Sequence, residues 1–279
     1  MRTFRRDVQW NVPARAMKSL HPRQSLGQNF LRDENISRNI VSSLNVQPHD
    51  VVLEIGPGEG ALTKYLAQRA RRLIVVDIDE RIINLMRAMY PNGEIDILHG
   101  DFLATDFASL TRKQQGEKLR IVGNIPYNIT SPILFHILDN RRFVSDATLM
   151  MQKEVAQRLH APPNTKEYGI LAVFCQLFAD VELLFDVSAK CFFPPPKVTS
   201  SVVRLKILTH PRYEVADEVF FRAMVRAVFG KRRKTLRNSL GFFLESVPSL
   251  PETFDLRKRP EQLSIQQLAE LSNELFACQ

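Results

Sequence analysis

Cysteine is scarce in this sequence, with three residues in 279: Cys175, Cys191 and Cys278. They are odd in number and widely spaced, and there is no Cys-x-x-Cys pair or Cys/His cluster. A disulfide framework and a structural metal site are therefore both disfavoured, no metal is expected, and a reducing compartment fits. Long apolar runs are also missing. No stretch reaches the ~18 residues that a membrane span requires, so no membrane partner is expected. Met1 to Arg15 lacks the apolar core of a secretory signal. Its arginines would suit a mitochondrial leader, but Asp7 and the shortage of serine do not, and the expected location is cytoplasmic.

What is present is ordinary for a folded enzyme, apart from charge. Apolar residues make up 44% and charged residues 24%, enough to bury a large core. The formal net charge is +8. An excess of this size suits a polyanion, because neutralised phosphates release counterions, although many basic proteins are charged only for solubility.

Charge and periodicity divide the chain into three parts. Residues 1–27 form a basic arm; Met1 to Arg32 holds seven Lys/Arg against one acid, Asp7. Residues 28–208 alternate strands and helices. Strands are expected at 51–55, 73–76, 95–98, 119–122, 147–151, 181–187 and 201–207, the last two as antiparallel neighbours at one sheet edge. Helices are expected at 33–44, 61–69, 80–89, 131–138, 153–160 and 168–178. This alternation predicts an α/β fold with a doubly wound, mostly parallel, seven-stranded sheet. Residues 209–279 show only helical patterns, at 216–229, 233–244 and 265–276, and predict a small all-helical domain.

The first strand of that alternation runs into Gly56-Pro57-Gly58-Glu59-Gly60. Glycine is needed where φ is positive or where the backbone approaches a ligand closely. The spacing is Gly-x-Gly-x-Gly rather than Gly-x-Gly-x-x-Gly, and no Gly-Lys-Ser/Thr follows, so a dinucleotide site and a P-loop are both disfavoured. Glu54, just before the turn, would suit a cationic ligand such as S-adenosylmethionine; an ordinary tight turn is the plainer alternative. Two further strand ends carry acids. Asp77 lies 21 residues after Gly56 and can accept both ribose hydroxyls. Asp101 can bond an adenine amine, unless it serves only as a helix cap. Three acid-bearing strand ends together describe a nucleoside site better than any one alone.

Asn124-Ile125-Pro126-Tyr127 follows the fourth strand. An exocyclic amine has its lone pair delocalised into the ring. Two acceptors aimed at its hydrogens, the Asn124 side-chain oxygen and the Ile125 carbonyl, would favour a pyramidal nitrogen. Pro126 biases Ile125 away from helix, and Tyr127 offers a ring to the base. A second aromatic loop is Phe192-Phe193-Pro194-Pro195-Pro196-Lys197. There Phe192 is assigned to the target base, Phe193 to the core and Lys197 to phosphate. His99 and His136 read as structural. Lys231, Arg232, Arg233, Lys234 and Arg237 place cations on or beside a helix start, where they would grip phosphates without reading sequence.

Taken in this order, with Gln28-Asn29-Phe30-Leu31 and Arg232-Arg233-Lys234-Thr235-Leu236-Arg237-Asn238, these motifs resemble the KsgA family of small-subunit rRNA adenine dimethyltransferases from about residue 28 to the end. The resemblance implies a Rossmann-like methyltransferase domain that uses S-adenosylmethionine. It implies transfer of four methyl groups to two adjacent adenosines of a hairpin near the 3′ end of small-subunit rRNA, within a pre-30S particle. It also implies cofactor contacts at Asn29, Leu31, Gly56, Gly58, Asp77, Asp101 and Asn124, in a monomer. Two residues depart from the family pattern. Asp77 stands where Glu is usual, and Ile125 stands where Leu is commoner. Ile is common in the related Erm enzymes of the large subunit, which keeps that acceptor open, whereas the Pro-Pro-Pro-Lys loop and the basic run look like KsgA. A non-catalytic RNA or DNA clamp on the same fold is a further alternative.

Overall fold

The computed structural model describes residues 20–111, 117–241 and 254–278. Seven strands form the main sheet: β2 (Val51–Ile55), β3 (Arg72–Asp77), β4 (Asp96–His99), β5 (Leu119–Asn124), β6 (Val144–Gln152), β7 (Ala179–Val187) and β9 (Ser200–Ile207). Their order is β4-β3-β2-β5-β6-β9-β7. The first five are mutually parallel, while β9 is antiparallel to both β6 and β7. The doubly wound sheet and its antiparallel edge are as expected. A separate two-stranded ribbon pairs β1 (Phe30–Leu31) with β8 (Phe192–Phe193).

Period-2 alternation splits the sheet's side chains between two cores. Val52, Val75 and Val122 face α1 (Glu34–Leu44), α2 (Thr63–Leu66) and α3 (Glu80–Met89). Leu53, Ile74 and Ile121 face the other way, toward α4 (Phe107–Thr111), α5 (Thr130–Asp139), α6 (Lys153–Leu159) and α7 (Ile170–Phe178). That second core runs on without a break into α8 (Glu218–Gly230), α9 (Leu236–Gly241) and α10 (Ile265–Ala277) through Phe221, Val225 and Leu268. The C-terminal helices therefore share a core with the sheet.

Several boundaries differ from the sequence reading for identifiable reasons. β6 begins three residues early because Asp146, a poor strand former, accepts a bidentate bond from Arg120 on β5, which also reaches Asp50. α2 is a single turn inside the expected 61–69 helix. α9 covers only 236–241 of the expected 233–244, and residues 242–244 lie outside the described residues.

The direction of α8 sets where its cations lie. At its first turn Glu218 pairs with Arg141, just past the end of α5. One turn on, Arg222 bonds Asp139 at the end of α5, and Arg226 then lies over Phe135. α8 thus runs antiparallel to α5, and its last turn arrives at the carboxyl-end side of the sheet.

Candidate active site

β2, β3, β4 and β5 end around one cavity of about 270 Å³. Gly56 has φ 63°, and a Cβ there would point between Asp77 Oδ2 at 3.9 Å and the Asn124 carbonyl oxygen at 4.0 Å. The glycine turn therefore opens a cradle that a side chain would fill, with the second-strand acid on one side and the fourth-strand end on the other. Gly58, at φ 54°, lets Phe30 close in; a Cβ would stand 3.0 Å from its ring. Gly123 is required by the sheet, since a Cβ would lie 2.7 Å from the Ile55 carbonyl oxygen.

Asn29, Gly56, Gly58, Asp77, Asp101 and Asn124 all line this cavity, as do Ile125, Pro126 and Tyr127. Asp77 is held by the Asp79 N–H at 2.8 Å, and burial, its largest influence, pushes its carboxyl up to about 6. Asp101 does cap the short turn after β4, accepting from the Leu103 N–H at 2.9 Å, and still borders the cavity. The Asn124 amide donates through Nδ2 to the Asn29 carbonyl at 2.7 Å, which turns its oxygen the other way. The Tyr127 hydroxyl meets Ser200 Oγ at 2.6 Å, tying the ring to β9. His136 is structural, wedged edge-on between Phe102 and Phe107 and bonded to the Thr105 carbonyl. His99 meets the Ile78 carbonyl at 3.3 Å.

The structure places several residues differently from the sequence assignments. Phe192 is buried in the core beside α1–α3, while Phe193 is 41% exposed with the Arg32 guanidinium 4.5 Å above its ring. The pairing of β8 with β1 sends alternate side chains to opposite faces, so Phe192 turns into the core and Phe193 outward, and neither lines the cavity. Leu31 does not line the cavity, because the same ribbon turns its side chain into that core. Glu54 shares a sheet face with Val52 and is buried away from the cavity; burial pushes its carboxyl up to about 8. Arg232 is occupied structurally, donating to the Lys166 and Thr165 carbonyls at 2.6 and 2.9 Å. Residues 1–19 of the basic arm lie outside the described residues, and at its end Ser25, Leu26 and Gly27 line the cavity.

This wall is held by a contact that the local charge pattern does not show. The fully buried Asp79 carboxylate caps α3 and accepts from Arg81, Gln28 and Arg23. The Arg81 guanidinium holds it well below the usual carboxylate range. On the other side Glu59 accepts from the Leu20 N–H and pairs with Arg32. Lys231, Arg233, Lys234 and Arg237 are exposed around the turn between α8 and α9, and Lys197 is exposed in the loop before β9. All five stand at the cavity end of the sheet.

A model of the family described as "Ribosomal RNA adenine dimethylase" matches residues 20–275. The chain is 48% identical over 251 residues to ribosomal RNA small subunit methyltransferase A of Chlorobium chlorochromatii, covering 89% of this chain and 92% of that protein. It is 41% identical to the protein of that name from Geobacter metallireducens, covering 93% and 98%. Among solved structures it is similar to a dimethyladenosine transferase from Plasmodium falciparum, with a TM-score of 0.73 and 26% identity, covering 89% of this chain and 98% of that chain. It is also similar to the 23S rRNA methyltransferase ErmE, with a TM-score of 0.66 and 29% identity, covering 89% and 100%. With the family model and curated relatives agreeing along almost its whole length, the chain belongs to the ribosomal RNA adenine dimethylase family and is an S-adenosylmethionine-dependent rRNA methyltransferase.

Proposed function

We propose that the enzyme dimethylates two adjacent adenosines in the 3′-terminal hairpin of small-subunit rRNA, acting as a monomer on a pre-30S particle. The observation that carries this reading is the cradle at Gly56, where the ribose-binding acid and the amine-binding strand end face each other within 4.0 Å of one point. S-adenosylmethionine supplies an electrophilic methyl carbon on a positively charged sulfur. Asp77 would accept from the ribose hydroxyls and Asp101 from the adenine amine, with Asn29 lining the cavity and Gly56 and Gly58 keeping it clear of side chains.

The acceptor base is flipped from the RNA, because a stacked amine is out of reach. Asn124 Oδ1 and the Ile125 carbonyl accept the amine hydrogens, with Pro126 fixing the peptide between them and Tyr127. Tyr127 stacks on the base, its ring fixed through Ser200. So held, the amine nitrogen would face the methyl that the bound donor supplies, and its proton would leave to water. Phe192, paired with Leu31 and buried in the core, acts as support for the β1 strand at the cavity edge. Lys197, Lys231, Arg233, Lys234 and Arg237 hold phosphates at the same end, and Arg232 braces the turn that presents them.

The 41–48% identity to proteins named for the small subunit supports that acceptor over the large-subunit one. The intact tetrapeptide supports turnover over a silent clamp. Purified, under-methylated small subunits should accept methyl groups, with large subunits and their free RNA inert under the same conditions. Methylation of large subunits instead would assign the enzyme to the Erm-type acceptor, and binding without transfer would favour the clamp.

Burial of Asp77 gives cofactor binding a pH signature. Only the ionised carboxylate accepts both hydroxyls, and its pKa is pushed up to about 6. The cofactor Kd should be flat above pH 7 and rise roughly tenfold per unit below 6. Calorimetric titration with S-adenosylhomocysteine from pH 5 to 8 measures this. Asp77→Asn should bind weakly at all these values, and an unchanged slope in that variant would remove Asp77 from the role.

A further inference from the structure

We infer that the RNA-binding surface continues from the cationic turn down the groove between α5 and α8, past Arg226, to Arg142 and Lys118 at the far end of the sheet, and that these three cations take phosphates of the same RNA. This rests on the RNA-methylating reading above and extends it to a second surface. The groove follows the α5–α8 seam, where Glu218 pairs with Arg141, Arg222 with Asp139 and Arg226 lies over Phe135, along about 15 Å of rise of the ten-residue α5. Arg226 stands on α8 roughly 7–8 Å of helix rise below Lys231, between the cationic turn and the far end of the sheet.

The cations of the groove fall into two groups. Arg141 and Arg222 are engaged by Glu218 and Asp139, which also neutralises the two acids there. Arg226 and Arg142 have no carboxylate partner among the described residues. Each is instead positioned by an aromatic ring: Arg226 lies 5.5 Å from the centre of Phe135 and Arg142 lies 4.5 Å from that of Phe143. A guanidinium steadied on a ring keeps its N–H fork available, and that fork matches phosphate oxygens. Lys118 is exposed and borders, with Arg142 and Asn140, a polar hollow at the base of the sheet. A protein partner would call for an apolar centre. Val219 is the one large apolar side chain of α8 that stands largely exposed, and one side chain makes no patch. Shape and backbone recognition of structured RNA suits a cationic track without base-reading pockets.

The test is binding of the full-length protein to purified, under-methylated small subunits across 50–200 mM salt. For the triple variant Lys118→Ala, Arg142→Ala, Arg226→Ala, we expect about tenfold weaker binding at physiological salt. The slope of log K against log salt should fall by about two to three, close to one for each phosphate that is no longer neutralised. Lysine at 142 and 226 should restore most of the slope, and affinity for S-adenosylhomocysteine should match wild type, which reports that the fold and the cavity are intact. A wild-type slope in the triple variant overturns the inference. So does a loss of affinity that is the same at every salt concentration, which would point to a protein contact. If the wild-type protein itself neither binds nor methylates small subunits, the proposed function fails, and this inference fails with it.

Discussion

Asn124→Ala is expected to lower kcat for methyl transfer by about 10²- to 10³-fold, the cost typical of deleting one preorganised polar contact to a reacting centre. Two bonds are at stake. Nδ2 is already engaged by the Asn29 carbonyl at 2.7 Å, which leaves the side-chain oxygen for the amine in the proposed role. That oxygen gains most when the amine pyramidalises, because its acceptor strength then opposes the charge developing on nitrogen, and such differential binding raises kcat rather than affinity. The Nδ2 bond acts on the ground state instead. Removing it frees the Asn29 carbonyl, but neighbouring Gln28 remains anchored to Asp79, so the cofactor Kd should change by less than about tenfold. Single-turnover rates with saturating small subunits, set beside calorimetric cofactor affinity, separate the two contributions. Turnover within a few-fold of wild type would show that the amine is gripped by something other than Asn124.

The strand ends are legible in the sequence because each combines a buried apolar run with a residue of special chemistry. Gly56, Asp77, Asp101 and Asn124 follow such runs, and the parallel sheet brings them to one cavity. Features set by long-range pairing are not legible. The β1–β8 ribbon joins residues about 160 apart, and only its register decides that Phe192 turns inward and Phe193 outward. The cavity wall at Ser25–Gly27 depends on Asp79, 51 residues beyond Gln28, and a local charge pattern shows only a basic arm. By its neighbours in sequence Glu54 belongs to the glycine turn. Strand alternation points it to the opposite side, and its shared parity with Val52 carries that signal. Arg232 and Arg233 look alike in a run of cations; only the fold sends the first back to the 165–166 carbonyls.

Glu54 should make the folded state lose stability as pH rises. Its carboxyl is buried, Oε2 finds no hydrogen-bond partner among the described residues, and burial, aided by the nearby Asp77 charge, pushes its pKa from 4.5 up to about 8. Between those values the folded protein binds a proton that the unfolded chain has released. Stability from this group is therefore complete below about pH 4.5, declines through the interval and levels off above about 8. Asp77 adds a slope of the same sign, but it finishes near pH 6, where its own raised pKa lies. The interval from pH 6 to 8 accordingly reports on Glu54, and unfolding free energy should fall there by roughly 2–3 kcal/mol, at about 1.4 kcal/mol per unit. Glu54→Gln keeps the shape and carries no proton to lose. It should match wild type near pH 5, exceed it at pH 8 and show little slope between 6 and 8. Urea denaturation at these values is sufficient, with the m-value checked for constancy so that the midpoint reads stability. A Gln variant that retains the wild-type slope would place the titrating group elsewhere and leave Glu54 ionised in the fold, which its surroundings could accommodate only with a cation or water beside Oε2.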